Sequence, residues 1–392
     1  MAFTTISGAD YGADTAFIGT SSVDTIAIVG LAGSAYLDGD ANNDIVNVTN
    51  FKEIVSDYTL KGGQGNDSIS IFALSLTDSF IAGNAGNDTI FTIDVTSSTL
   101  QGGQGNDSIQ TADLTTSLVA GNLGNDTLST GDVQSSSVWG GQGNDSISVS
   151  GRFIGSSIEG NLGNDVINIL ATQFISSTIS GGAGSDTISA ITTGSAVGVT
   201  ILGDEGNDFL TGGAGNDVID GNVDNDTLLG LDGNDSLIGG EGTDSLVGGN
   251  GVDNLTGGAE VDTFGFGAGT ETYTAATLLA AAGTVDVITD YAYSATAADS
   301  DKLAILGVTA PEASTVGGYA TWAAALDAAT GVSIASGKYE VVAIGSGTAW
   351  TSYVFYNTAG GVTTAPTGAI QIGAVGAFGS AASANAQGIT LA

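Results

Sequence analysis

A large apolar residue recurs two positions after an aspartate along much of the chain. Ile69, Ile90, Ile109, Leu128 and Ile147 follow Asp67, Asp88, Asp107, Asp126 and Asp145. Each is preceded by a small hydroxyl residue: Ser68, Thr89, Ser108, Thr127 or Ser146. Polar–apolar alternation over such short runs predicts strands with one buried face, the apolar residue pointing in and the hydroxyl out. The aspartates recur every 19 to 23 residues as far as Asp208, then at nine-residue steps through Asp217, Asp226, Asp235, Asp244, Asp253 and Asp262. Two such steps match one longer period, so one coil per 18 to 23 residues is expected throughout.

The strands are separated by two kinds of turn. One is rich in glycine, as in Gly62-Gly63-Gln64-Gly65-Asn66-Asp67, and returns with small changes at Gly83, Gly102, Gly121, Gly140, Gly160 and Gly181. The other, as in Asp94-Val95-Thr96-Ser97-Ser98 or Asp132-Val133-Gln134-Ser135-Ser136, lacks glycine and is rich in Ser and Thr. In the nine-residue region both turns of a coil carry the glycine motif. Gly39-Asp40-Ala41-Asn42-Asn43-Asp44 and Asp24-Thr25-Ile26 are degenerate earlier copies. The expected organisation is an N-terminal cap with first coils over 1–60, a roll with one glycine/aspartate edge over 61–200, a roll with two such edges over 201–266, and a C-terminal cap over 267–392.

Composition decides what this scaffold binds. Glycine makes up 63 of 392 residues, and 42 acidic residues face five basic ones, a net charge of -37. Nucleic acid as a partner is excluded, because phosphate binding needs clustered Lys and Arg. With 42% hydrophobic residues a core is attainable once the acids are neutralised, and bound cations are the simplest neutraliser. There is no cysteine and no histidine. Thiolate sites, His-Glu-x-x-His zinc chemistry and Ser-His-Asp triads are therefore absent. Only a carboxylate-pair glycosidase is left open, and the expectation is a protein without enzymatic activity. No apolar run approaches the length of a membrane helix, and residues 1–10 lack the basic and apolar regions of a cleavable signal.

The recurring block has the form Gly-Gly-x-Gly-x-Asp-x-U-x, with U a large apolar residue. Glycines permit positive φ and tight reversal, and aspartate offers a hard, charged oxygen suited to Ca²⁺. The repeats resemble the RTX (repeats-in-toxin) family, which implies an all-β fold: a right-handed parallel β-roll with calcium-binding glycine-rich turns, followed by a β-rich α+β cap. In that family calcium lies between consecutive turns of one edge, held by aspartates and loop carbonyls. Carried over, the carboxylates are Asp44, Asp67, Asp88, Asp107, Asp126, Asp145, Asp165, Asp186, Asp208, Asp226, Asp244 and Asp262 on one edge, with Asp217, Asp235 and Asp253 on the other. The carbonyls are those of Gly62 and Gln64, Gly83 and Ala85, Gly102 and Gln104, Gly121 and Leu123, Gly140 and Gln142, Gly160 and Leu162, Gly181 and Ala183, with Gly203 and Gly212. Six to eight ligands per ion, shared between turns, give up to about a dozen Ca²⁺.

Beyond Phe266 the composition shifts to Ala, Thr and Val. Strands are predicted at 285–288, 339–344 and 351–355, and a helix over 321–330. The segments 285–291 and 301–304 resemble the region C-terminal to the repeats in RTX proteins, which caps the roll and carries an uncleaved type I secretion signal. The resemblance implies a secreted, cell-surface protein that folds on extracellular calcium, exported by type I secretion machinery. It resembles bacterial RTX-type surface-layer proteins, so self-assembly into a lattice or filament is the first expectation. The alternative is an adhesin or polysaccharide-binding module acting as a monomer. An ice-binding roll fits less well, because outward Phe91 and Gln110 interrupt the Ser/Thr rows.

Overall fold

Strands this short are stable only when neighbours cover their apolar face, and stacking successive coils achieves that for every coil but the first and last. In the computed structural model, the described residues are 2–7, 14–19, 23–29, 34–192 and 198–266, and beyond these only strands between 286 and 374. The chain divides into two compact units, 1–208 and 209–392.

In the first unit each coil contributes strands to two parallel sheets. One sheet stacks Tyr58–Gln64, Phe80–Ala85, Thr99–Gln104, Leu118–Leu123, Ser137–Gln142, Ser157–Leu162, Thr178–Ala183 and Thr200–Glu205 in parallel register. The other stacks the strands that come after each aspartate, from Ser68–Thr77 through Thr89–Phe91, Ser108–Gln110, Thr127–Thr130, Ser146–Val149 and Val166–Ala171 to Thr187–Thr192. A short third strand, such as Val95–Thr96 or Leu114–Thr115, completes the coil before the Ser/Thr turn.

The register places identical positions above one another, so the core is built of columns. Ile69, Ile90, Ile109, Leu128, Ile147, Ile167 and Ile188 form one, all essentially inaccessible. Leu60, Ile81, Leu100, Val119, Val138, Ile158, Ile179 and Ile201 face them from the other sheet. Leu76, Val95, Leu114, Val133, Phe153 and Phe174 fill the third wall, ending in an edge-to-face aromatic pair at 5.8 Å. The expected in–out alternation holds, with Ser108, Thr127 and Ser146 exposed.

The second unit repeats the plan with an 18-residue coil. Phe209–Ala214, Thr227–Asp232, Ser245–Asn250 and Thr263–Phe266 stack in one sheet, and Val218–Val223, Ser236–Glu241 and Asn254–Ala259 in the other. Asp286–Ile288 and Lys302–Ile305 extend these sheets. Lys338–Ser346, Ala349–Asn357 and Gly368–Ala374 pair antiparallel, and they contain the two predicted strands at 339–344 and 351–355. The predicted helix at 321–330 lies outside the described residues.

Candidate metal centres

Each glycine turn brings its aspartate inward against the turn of the next coil. The carboxylates from Asp44 to Asp208 are buried, each 3% exposed or less. Their Oδ1 atoms form a ladder. The backbone N–H of Asp24 donates to Asp44 Oδ1, that of Asp44 to Asp67, and so on through Asp88, Asp107, Asp126, Asp145, Asp165 and Asp186 to Asp208, every bond 2.7 Å. The second unit holds two separate ladders. Asp217 donates to Asp235 and Asp235 to Asp253; Asp226 donates to Asp244 and Asp244 to Asp262.

The second carboxylate oxygen has a different fate. Oδ2 of Asp44, Asp67, Asp88, Asp107, Asp126, Asp145, Asp165 and Asp186, and of Asp235 and Asp244, is buried with no hydrogen-bond partner. An ionised oxygen so placed is strongly unfavourable. Desolvation by burial therefore pushes these groups up, Asp67, Asp107, Asp145 and Asp235 to about 7 and Asp88, Asp126, Asp186 and Asp244 to about 6. Hydrogen bonds from the neighbouring backbone oppose the shift without cancelling it.

The first glycine of each motif makes room for that oxygen. A methyl group built on Gly140 would collide with Oδ2 of Asp145 and lie 2.7 Å from the carbonyl oxygen of Gly160. Gly62 meets Asp67 and the Gly83 carbonyl in the same way, Gly181 meets Asp186 and the Gly203 carbonyl, and Gly212 meets Asp217 and the Gly230 carbonyl. Carboxylate and carbonyl oxygens of successive coils thus converge where a side chain would otherwise stand. The carbonyls at the third motif position line the same turns while accepting inter-coil bonds, as Gly86 N–H to Gln104 at 2.7 Å and Gly143 N–H to Leu162 at 2.7 Å. Among the described residues no three acidic side chains gather as a cage. The donor set is mixed carboxylate and backbone carbonyl, all hard oxygen, which suits Ca²⁺ and not a thiolate- or imidazole-seeking metal. The residues fit the ion, which would supply the positive charge that the orphaned oxygens lack.

Three features are not evident from the sequence pattern alone. Asp24 begins the ladder, and only the degenerate Asp24-Thr25-Ile26 copy signals it. The fifth motif position forms an exposed asparagine ladder running the opposite way: Asn87 N–H donates to Asn66 Oδ1, Asn106 to Asn87, Asn125 to Asn106 and Asn144 to Asn125. The opposite edge carries a buried serine ladder. Ser79, Ser98, Ser117 and Ser136 donate backbone N–H to the Oγ of Ser98, Ser117, Ser136 and Ser156, and these hydroxyls donate to carbonyls two residues back.

One family model matches parts of the chain. The RTX calcium-binding nonapeptide repeat (4 copies) matches residues 77–92, 97–113, 176–190, 200–228 and 229–264. Asp126, Asp145 and Asp165 lie between matched segments yet hold the same ladder bonds. The fold is similar to the X-ray crystal structure of a hyperactive, Ca²⁺-dependent, β-helical antifreeze protein from an Antarctic bacterium. That likeness has 21% identity and a TM-score of 0.47 over 68% of this chain and 84% of the other. No curated protein matches the sequence.

Proposed function

We propose that this chain, built on RTX calcium-binding repeats, is a secreted structural protein that folds on extracellular calcium and assembles with copies of itself as a surface-layer or fibre subunit. The observation that carries the reading is the row of buried, uncompensated carboxylate oxygens from Asp44 to Asp186. Without a divalent cation these groups must either hold protons or repel one another. Extracellular modules bind Ca²⁺ at about 10⁻⁴–10⁻³ M, so the chain stays unfolded inside the cell and folds after export, where binding energy becomes folding energy. Residues of consecutive turns on one edge would hold an ion, for example Asp126 and Asp145 with the carbonyls of Gly140 and Gln142, and the edges together would take up to about a dozen ions.

Self-assembly is supported by the extent of the scaffold and by its outer surface. Ile54, Leu74, Leu170 and Ile191 expose apolar side chains at 55%, 55%, 53% and 44%, and stacked coils favour end-on and face-on pairing. A regular threonine array suited to ice is not supported, since Ser70, Phe91, Gln110 and Ser129 succeed one another on the outward face. Electron microscopy of chelated protein brought to millimolar calcium tests the proposal. Sheets or filaments that dissolve in EGTA are expected; folded, monodisperse monomers would contradict self-assembly and favour an adhesin.

A further inference from the structure

Stacked coils bring equivalent residues into columns on the outer face of the sheet that precedes the glycine turns. One column reads Lys61, Ala82, Gln101, Ala120, Trp139, Glu159, Ser180 and Leu202. Trp139 is the one aromatic residue in it and is 38% exposed. Three positions on, the coils either side of Trp139 carry Leu123 and Leu162, 39% and 51% exposed, where the nearest coils beyond them carry Gln104 and Ala183. The inward residues of these coils, Val119, Val138 and Ile158, are the same kind as everywhere else in the core. Ala120 beside the ring in the column is only 3% exposed, yet part of the ring and the two leucines stay in water, an apolar patch of the kind that marks binding surfaces.

The second motif position shapes the space around the ring. Asn122 and Asn161 occupy the left-handed region at φ 81° and 78°, and Gly141 stands between them at φ 123°. A hollow of about 460 Å³ lies beside Trp139 and Gly141, with Leu123, Leu162, Asn122, Asn161 and Gln142 around it. Two inter-coil spacings make it about 10 Å wide, and the strand from Trp139 to Gln142 makes it about 10 Å long. That volume lies within the range of small-ligand sites.

The lining selects a chemical class. The ring and leucines offer a flat apolar surface, and the three carboxamides both donate and accept hydrogen bonds. No Lys or Arg lines the hollow, and Glu159 adjoins Trp139 in the column. An anionic ligand would meet repulsion there. A neutral pyranose has the matching surface, an apolar C–H face ringed by hydroxyls. We propose that the Trp139 hollow binds one or two residues of a neutral saccharide, the ring stacking on the sugar and Asn122, Asn161 and Gln142 holding its hydroxyls. The inference needs the calcium-folded roll but not self-assembly.

The test is calorimetry on the full chain in millimolar calcium, titrated with cellohexaose, chitohexaose, mannohexaose and maltohexaose, with trigalacturonate as the anionic comparison. Saturable binding of at least one neutral oligosaccharide is expected, and none of trigalacturonate. Trp139→Ala should weaken that binding at least tenfold with unchanged circular dichroism, and Trp139→Tyr should retain part of it. Should Trp139→Ala alter the fold, the exposed Leu162→Ser and Gln142→Ala variants serve instead, each with a several-fold loss expected. Binding of none of the four neutral sugars, or full affinity in folded variants, would overturn the proposal. Circular dichroism of each sample distinguishes failure of the site from failure of calcium-dependent folding.

Discussion

The first unit holds its coils together along two edges that use the same hydrogen bond and differ in what is left over. On the glycine edge, Asp107 Oδ1 accepts the N–H of Asp88 at 2.7 Å. On the opposite edge, Ser117 Oγ accepts the N–H of Ser98 at 3.1 Å and passes its own proton to the Thr115 carbonyl at 2.8 Å. The hydroxyl is neutral and its bonds are complete. The carboxylate does the same work but keeps a second oxygen with no hydrogen-bond partner, and a charge with it. Serine would therefore suffice if the only need were to join coils. The buried charge on one edge has to be met by a cation or a proton, while the other edge needs neither.

The largest contrast is expected from removing one group from each edge. Asp145→Ala should weaken the two calcium sites flanking it, lowering the calorimetric stoichiometry by about two ions, since each carboxylate is shared between turns. Ser117→Ala leaves the buried Ser98 N–H without its acceptor, a loss of about 1–3 kcal/mol, with calcium stoichiometry unchanged. Equal effects of the two variants on calcium binding would erase the distinction between the edges.

A pH series sharpens the comparison without mutation. In the metal-free roll Asp67, Asp107 and Asp145 lie at about 7 and Asp88, Asp126 and Asp186 at about 6 because burial penalises their charged form. An unfolded chain holds them at about 3.9. The folded state then binds more protons, so its stability is present at low pH and is lost as pH rises through about 6 to 7. Far-ultraviolet circular dichroism in EGTA should show more β structure at about pH 5 than at about pH 8. Saturating calcium should remove the dependence, and loss of structure on acidification instead would contradict the assignment.

The smallest effect is expected on the exposed rim of the glycine edge. Asn125→Ala removes the acceptor for the Asn144 N–H, which water can replace. A loss of at most about 1 kcal/mol in denaturant unfolding is expected, with both calcium affinity and stoichiometry kept.

Much of this plan is legible in the residues because a repeated coil writes its period into the chain. Ile69 or Leu128 two places after an aspartate marks both a strand and its inward face, and the glycine before each aspartate marks the turn. The serine ladder is less legible. Ser98 and Ser117 are of a type usually found at surfaces, and only the stacking of coils shows them 4% and 7% exposed. The asparagine ladder is hidden for a related reason, since Asn87 and Asn106 read as polar loop residues until the next coil supplies their partners. Trp139 carries no periodic signal at all: its exposure is fixed by the column it joins, between Ala120 and Glu159.

The central claim is that cations complete the carboxylate edge and so permit the roll to form. Calcium titration of the chelated full chain at pH 7.5, followed together by far-ultraviolet circular dichroism and hydrodynamic radius, tests it most directly. An expanded chain with little β signal in EGTA, collapsing cooperatively to a compact β form at about 10⁻⁴–10⁻³ M calcium, is the expected result. A chain that is already compact and β-rich in EGTA at that pH, and that calcium leaves unchanged, would contradict it.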